Sequence, residues 1–244
     1  VRRLAAVCLL VLLPGCATAA TDREHEVTVF AAASLAPAFG EIAAAFEAAN
    51  PDAGVRLHVA GSRTLVAQLR EGARADVLAT ADAATMGAAA AAGVIDGAPV
   101  AFATNAAAVA VPVDNPARVR TLADLSEPGM QVVVCAVPVP CGVAARELLA
   151  GLGREVRPVS EETSVAGVVG KVAAGEADAG IMYATDVVGQ AAVRSVPLPP
   201  GVAVSTTYPI APVAGSAAVA QRFIDYVLSP DGQGALAEAG FGPP

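Results

Sequence analysis

The chain has 244 residues, 55% of them hydrophobic and only 4% aromatic, with no tryptophan, and it carries 23 acidic against 15 basic side chains for a net charge of −8. That length is enough for one large or two smaller domains with cores of their own. The acidic balance argues against nucleic acid and against a polybasic hold on membranes, and it means that any anion site has to be built locally rather than by bulk charge.

Taken from the first residue, Arg2 and Arg3 precede the apolar run Leu4 to Leu13, and Leu13-Pro-Gly-Cys16 follows. Charged, apolar and small-residue regions in that order predict a secretory signal over 1–15, too short to stay as a membrane span. Cys16, after a small residue, resembles the lipidated cysteine of a bacterial lipobox. Loss of Arg2 and Arg3 leaves 13 basic against 23 acidic side chains, a net of −10. Residues 16–26 are then expected to be a lipidated N-terminus and tether, and Cys8 has no part in the fold. No second long apolar run follows. The expected location is outside the cytoplasm, anchored through the lipid alone, or free in the periplasm if Cys16 is not processed.

From residue 27 onward, β-branched runs alternate with alanine-rich helical runs. Strands are predicted at 27–31, 55–60, 77–80, 107–112, 131–135, 156–158, 179–183, 193–196 and 203–210. Helices are predicted near 35–49, 64–71, 82–91, 121–125, 142–151, 165–174, 185–189, 216–228 and 231–238. This alternation is the signal for βαβ units and a mainly parallel sheet, an α/β fold. The first unit runs through the strand at 77–80 and a second spans about 107–196. A tail from Tyr208 returns and closes with two helices, and no repeat of solenoid period is present.

In such sheets ligands sit outside the carboxyl ends of the strands. The first end is Ala33-Ser34-Leu35, where Ser34 is a natural N-cap for a helix with Pro37 in its first turn. The second is Gly61-Ser62-Arg63-Thr64, with Ser62 as a cap. Val139-Pro-Cys-Gly142 opens the helix after the strand that ends at Cys135, Thr163-Ser164-Val165 opens another, and Met182-Tyr183-Ala-Thr-Asp186 ends a late strand. Helix N-termini carry about half a positive charge and bind oxyanions through free N–H groups. Alone each junction is an ordinary cap; as a set at strand ends they make a dipole cradle.

Val29-Phe-Ala-Ala-Ala-Ser34-Leu, Gly61-Ser-Arg-Thr-Leu65, Ala75-Asp-Val-Leu-Ala-Thr-Ala-Asp82, Val139-Pro-Cys-Gly142 and Gly180-Ile-Met-Tyr183-Ala-Thr-Asp186 together resemble the periplasmic molybdate-binding proteins of ABC importers. The likeness extends through Tyr208-Pro-Ile-Ala211 and Ser229-Pro-Asp-Gly-Gln233 to Gly240-Phe241-Gly242. It implies a two-lobed periplasmic-binding-protein fold of type II, with two hinge crossings near Thr104-Asn105 and Thr207-Tyr208. Lobe 1 is then 27–104 plus 208–244 and lobe 2 is 105–207, with the ligand in the cleft. It also implies the donors: hydroxyl and N–H from Ser34 and Ser62, backbone N–H from Cys141 and Val165, and the phenol of Tyr183. The implied ligand is molybdate, and tungstate of nearly the same size, delivered to the permease subunits of an ABC transporter. No cofactor and no free metal cation are implied, and a monomer is expected.

A tetrahedral dianion is all acceptor, so its site needs donors and no carboxylate facing it. Hydrogen phosphate needs an acceptor for its proton and is disfavoured; sulfate or another small oxyanion is the alternative ligand. Arg63, exposed at a helix start, is expected to face solvent. Cys135 and Cys141, six residues apart in a chain expected to be exported, are expected to form a local disulfide. A zinc site is not expected, because His25 lies in the tether and His58 in a strand. Asp76 and Asp82 are read as capping and hinge contacts and Asp186 as a cap. Without a Gly-x-Ser-x-Gly motif or a catalytic histidine, no enzyme activity is expected.

Overall fold

The computed structural model describes residues 26–216 and 218–244. The expected signal peptide and Cys16 lie outside the described residues. Glu26, placed at the end of the tether by sequence, already belongs to the first strand, where it pairs with Gly54.

Among the described residues nine strands form one sheet. In chain order they are β1 (Glu26–Ala32), β2 (Gly54–Ala60), β3 (Val77–Ala79), β4 (Val100–Pro112), β5 (Val132–Cys135), β6 (Ser160–Glu162), β7 (Ala179–Tyr183), β8 (Val193–Val196) and β9 (Ser205–Pro212). Their order across the sheet is β2-β1-β3-β9-β4-β7-β5-β6, with β8 also on β4. The α-helices among the described residues are α1 (Ala36–Ala49), α2 (Ser62–Arg70), α3 (Ala83–Ala91), α4 (Pro140–Ala150), α5 (Val165–Ala173), α6 (Ala218–Leu228) and α7 (Pro230–Glu238).

The expectation of a mainly parallel sheet needs correction. Pairings β1–β2, β1–β3, β5–β6 and β5–β7 are parallel, whereas β3–β9, β4–β9, β4–β7 and β4–β8 are antiparallel. Parallel neighbours require a crossover, which the helices supply within each half. The centre has another logic, because the chain passes between the halves as extended strands. β4 is accordingly one strand of 13 residues, not the short 107–112 segment. Its first part pairs with β9 and its second part with β7 and β8. The two expected crossings meet in that ladder, Thr104 opposite Thr207 and Asn105 opposite Thr206.

Another correction concerns 156–158, where Val-Arg-Pro suggested a strand. The strand is β6, Ser160–Glu162, paired in parallel with Val133–Cys135. It lies at the sheet edge with polar, partly exposed residues, so it carries no apolar pattern, and Pro158 suits the approach rather than the ladder. The predicted helices 121–125 and 185–189 are short 3-10 turns, Leu122–Ser126 and Ala184–Asp186.

β3 and β5 read as unbroken apolar runs because both their faces are covered. Val29, Ala31, Val77 and Ala79 face the main core, while Phe30 and Leu78 face a second cluster with Leu65, Leu69 and Met86 of α2 and α3. α1 buries Phe39, Ile42 and Phe46 at helical spacing. Phe39 and Phe46 meet Phe223 of α6 edge-on, with centroids 6.1 and 5.4 Å apart, contacts worth about 0.5–1.5 kcal/mol each beyond burial. In the other half α5 lies directly on β7. A Cβ on Gly180 would stand 2.7 Å from Val172 and 2.8 Å from Val168, so only glycine lets that helix sit down.

Candidate functional site

Five chain segments converge where the strands of both halves end. β1 runs into a 3-10 turn, Ala33–Leu35, and then α1. β2 runs through Gly61 into α2, β5 through a four-residue loop into α4, and β6 through Ser164 into α5, while β7 ends at Tyr183. One cavity is lined by Ser34, Ser62, Cys141, Val165 and Tyr183 together, with Ala81 and Ser164 among their neighbours. All five residues singled out in the sequence as oxyanion donors therefore stand around one space. The cavity is small, ≈ 10 Å³, too small for a sugar or peptide.

Among the described residues, none lining this cavity is charged. Arg63 is exposed and lines a surface groove with Val66, Arg70 and Thr85 instead. A larger groove beside the cavity carries Glu41 and Glu238, which would repel an anion. Among the described residues no cluster of three His, Cys, Asp or Glu side chains could hold a metal ion. His58 lies on β2, bonded to Gln68 at 3.0 Å and packed on Phe30.

The helix starts differ in a telling way. α3 is capped by Asp82, which accepts from Thr85 N–H at 2.7 Å, and α7 by Ser229, which accepts from Gly232 N–H. α1, α2, α4 and α5, which begin at the cavity, have no side-chain cap bond. An α-helix leaves its first N–H groups without internal acceptors, and here first-turn residues Ser62, Cys141 and Val165 face the cavity.

The serines do not cap, contrary to the sequence expectation. Ser34 sits inside the 3-10 turn, and its Oγ lies 2.8 Å from Tyr208 Oη. Ser62 is the first residue of α2, and its Oγ accepts from Ala81 N–H at 3.0 Å. Tertiary partners have taken the oxygens that propensity assigned to the local backbone. Of the aspartates, Asp82 caps α3 as expected and Asp186 accepts from Tyr183 N–H at 2.9 Å, whereas Asp76 accepts from Thr28 N–H of β1 at 2.7 Å and caps no helix.

Tyr183 is 2% exposed. Among the described residues its hydroxyl is the buried side-chain polar atom with no hydrogen-bond partner. Burial, then Tyr208, Asp186 and Asp82 nearby, hold the phenol well above its ordinary pKa, so it stays protonated and can donate. Asp186 keeps a partly exposed edge, yet burial pushes its carboxyl up to about 7 against the lowering bond from Tyr183 N–H.

A disulfide joins Cys135 at the end of β5 to Cys141 in the first turn of α4. Gly142 follows; a Cβ there would run into the carbonyl oxygens of Ala136 and Cys135. Gly61 makes a closer link still. A Cβ there would stand 2.5 Å from Thr163 O, so the β2–α2 junction and the β6–α5 junction touch backbone to backbone across the cavity.

Sequence reasoning placed Asn105 and Tyr208 at the hinge crossings and gave neither of them, nor Thr185, a part at the site. Tyr208 is fully buried; its hydroxyl receives Asn105 Nδ2 at 3.3 Å, and Asn105 Nδ2 also donates to Thr185 Oγ1 at 2.7 Å. The available signal was a tyrosine at the start of the apolar half of β9, Tyr208–Pro212, which needs a partner for its hydroxyl when buried.

A family model described as bacterial extracellular solute-binding protein matches residues 27–242. The molybdate-binding protein ModA of Mycobacterium tuberculosis is 41% identical over 227 residues, covering 92% of this chain and 87% of that protein. Among solved structures, the periplasmic molybdate-binding protein of Azotobacter vinelandii superposes with a TM-score of 0.76 at 20% identity, covering 89% of this chain and 99% of that one. The sulfate-binding protein SubI of M. tuberculosis superposes with a TM-score of 0.72 at 21% identity, covering 90% and 87%. At those identities the two structures speak for the fold, that of the periplasmic binding proteins.

Proposed function

Because the chain belongs to the bacterial extracellular solute-binding protein family, we propose that it captures molybdate outside the cytoplasm, and tungstate with it, for delivery to an ABC importer. The observation that carries this is Tyr183: a buried, protonated hydroxyl with no protein partner, set in a cavity without charged lining. An unpaired buried hydroxyl costs about 1–3 kcal/mol, a cost that a ligand acceptor would remove. The helix starts around it lack side-chain caps, and ModA relatives are named for molybdate.

In this role Ser34 and Ser62 donate hydroxyl and backbone N–H, Cys141 and Val165 donate backbone N–H, and Tyr183 donates its phenol proton. Neutral, preorganised dipoles suffice for a dianion where water is excluded. Residues 27–104 plus 208–244 act as one lobe and 105–207 as the other, joined where β4 and β9 cross. Since both lobes hold the anion, binding favours the closed state, and closure is what the permease subunits read. Cys16 carries the lipid that keeps a monomer at the membrane surface. Nothing in this role is chemical turnover.

The test is thermal unfolding of the protein with molybdate, tungstate, sulfate and phosphate in turn at matched ionic strength. A ligand at a thousand times Kd stabilises by about 4 kcal/mol, a shift of many degrees. A shift with molybdate and tungstate well above that with sulfate supports the proposal. A shift with sulfate alone would make the chain a sulfate carrier, and no shift with any would remove the oxyanion role.

A further inference from the structure

Ser34 and Ser62 both face the cavity, and a serine hydroxyl can either donate or accept. What decides between these is where its oxygen is already engaged. For Ser62 the Ala81 N–H at 3.0 Å occupies a lone pair, so the proton is left for the cavity. For Ser34 the decision is made further away. Ser34 Oγ lies 2.8 Å from Tyr208 Oη, and either could be the donor in isolation. Tyr208 Oη also lies 3.3 Å from Asn105 Nδ2. An amide NH2 can only donate, and the orientation of this amide is set by its other end, where Asn105 Oδ1 accepts from Ala106 N–H at 2.9 Å. Turning the amide over would set NH2 against that N–H. Its second proton goes to Thr185 Oγ1 at 2.7 Å.

The polarity then propagates. Tyr208 is fully buried and its phenol is held above the ordinary range, so its proton needs an acceptor. The Tyr183 ring packs on Tyr208 with centroids 5.9 Å apart, but its hydroxyl has no hydrogen-bond partner in the protein; of the two groups bonded to the Tyr208 oxygen, Asn105 cannot accept, which leaves Ser34 Oγ. Ser34, having accepted, turns its own proton outward. Given the oxyanion role of the cavity, we infer that Asn105 and Tyr208 are specificity-determining positioning residues, fixing the Ser34 hydroxyl as a donor so that the site accepts proton-free dianions and rejects hydrogen phosphate. Neither residue lines the cavity. The chain of donors begins on β4 and passes through β9, where the two halves of the sheet cross.

The experiment is calorimetric titration of the protein with molybdate, sulfate and inorganic phosphate at pH 8, in the wild type, Tyr208→Phe, Ser34→Ala, the double variant Ser34→Ala/Tyr208→Phe, and Asn105→Asp. Tyr208→Phe keeps the ring and removes the donor. It should weaken molybdate binding about tenfold, the scale of a hydrogen bond to a charged group. In the Ser34→Ala background the same change should cost less than about threefold, because the two act as one unit. Asn105→Asp replaces the NH2 by an acceptor, so Tyr208 turns its proton to residue 105 and Ser34 turns its proton to Tyr208, offering the ligand a lone pair. The added charge repels both dianions alike, so the preference for molybdate over phosphate is the informative ratio, and it should shrink by about tenfold or more. Full additivity of Tyr208→Phe with Ser34→Ala, or an unchanged ratio in Asn105→Asp, overturns the inference. If Asn105→Asp does not fold, the Tyr208–Ser34 cycle decides alone. A wild type that binds none of the three anions would instead sink the oxyanion role itself.

Discussion

On the side of β1 and β2 the cavity is met by serine hydroxyls whose oxygens are already held, Ser62 by Ala81 N–H at 3.0 Å and Ser34 by Tyr208 at 2.8 Å. On the side of β5 and β7 it is met by the first turns of α4 and α5 and by the Tyr183 hydroxyl, which no protein group holds. The first half builds its donors into the fold, so each is at once a structural bond and a ligand group. The second half keeps a side-chain donor that contributes nothing to the fold, and stiffens its backbone donors by other means, a disulfide and a close-packed glycine. Substitutions of the side-chain donors in the two halves should therefore separate: in the first, stability and affinity fall together; in the second, affinity falls alone.

The largest combined loss is expected at Ser62→Ala. Removing the hydroxyl takes one donor from the ligand, about 1.5–3 kcal/mol of binding, and strands the buried Ala81 N–H, about 1–3 kcal/mol of folding. Urea unfolding beside calorimetry checks both, and an affinity loss with intact stability would break the contrast. Gly61→Ala comes next. Its Cβ would stand 2.5 Å from Thr163 O, and relieving that overlap costs about 1–3 kcal/mol. On the proposed two-lobed account the strain falls on the closed arrangement, so small-angle scattering with saturating ligand should show a less compact protein than the wild type.

Reduction of Cys135–Cys141 should cost about 2 kcal/mol, the loop-entropy scale for so short a closure, read from urea midpoints with and without reductant. The smallest effect is at Asp186. Its folded pKa is raised from 3.8 to about 7, so between those values the folded chain holds a proton that the unfolded chain has released. Stability contributed by this group therefore falls as pH rises through that window and levels off above it. Asp186→Asn should flatten that slope; an unchanged slope would mean the carboxyl is ionised throughout.

Much of the candidate site's lining was legible because helix starts are chemically local. Ser, Gly and Pro at Ser62, Gly142 and Pro140 mark the junctions within a few residues, and the apolar runs of β1, β5 and β7 show which ends those junctions follow. What the sequence concealed depends on distance along the chain. The partner of Ser34 lies 174 residues away and that of Asn105, Thr185, 80 away, so propensity made Ser34 a cap and left Asn105 at a hinge crossing with no side-chain bond assigned. β6 was misplaced because an edge strand of Ser-Glu-Glu has no apolar face to display. The antiparallel centre was missed for a related reason: β4 is one continuous strand, and only the pairing of its first half with β9 reveals that it serves both sides.

Tyr183→Phe bears most directly on the oxyanion site, because the hydroxyl it removes is buried and has no partner in the protein. Titrated with molybdate, this variant should bind at least about tenfold more weakly than the wild type, while its ligand-free unfolding midpoint stays level or rises. Equal affinity in the two proteins would contradict the assignment of that hydroxyl to the ligand, and with it the oxyanion site.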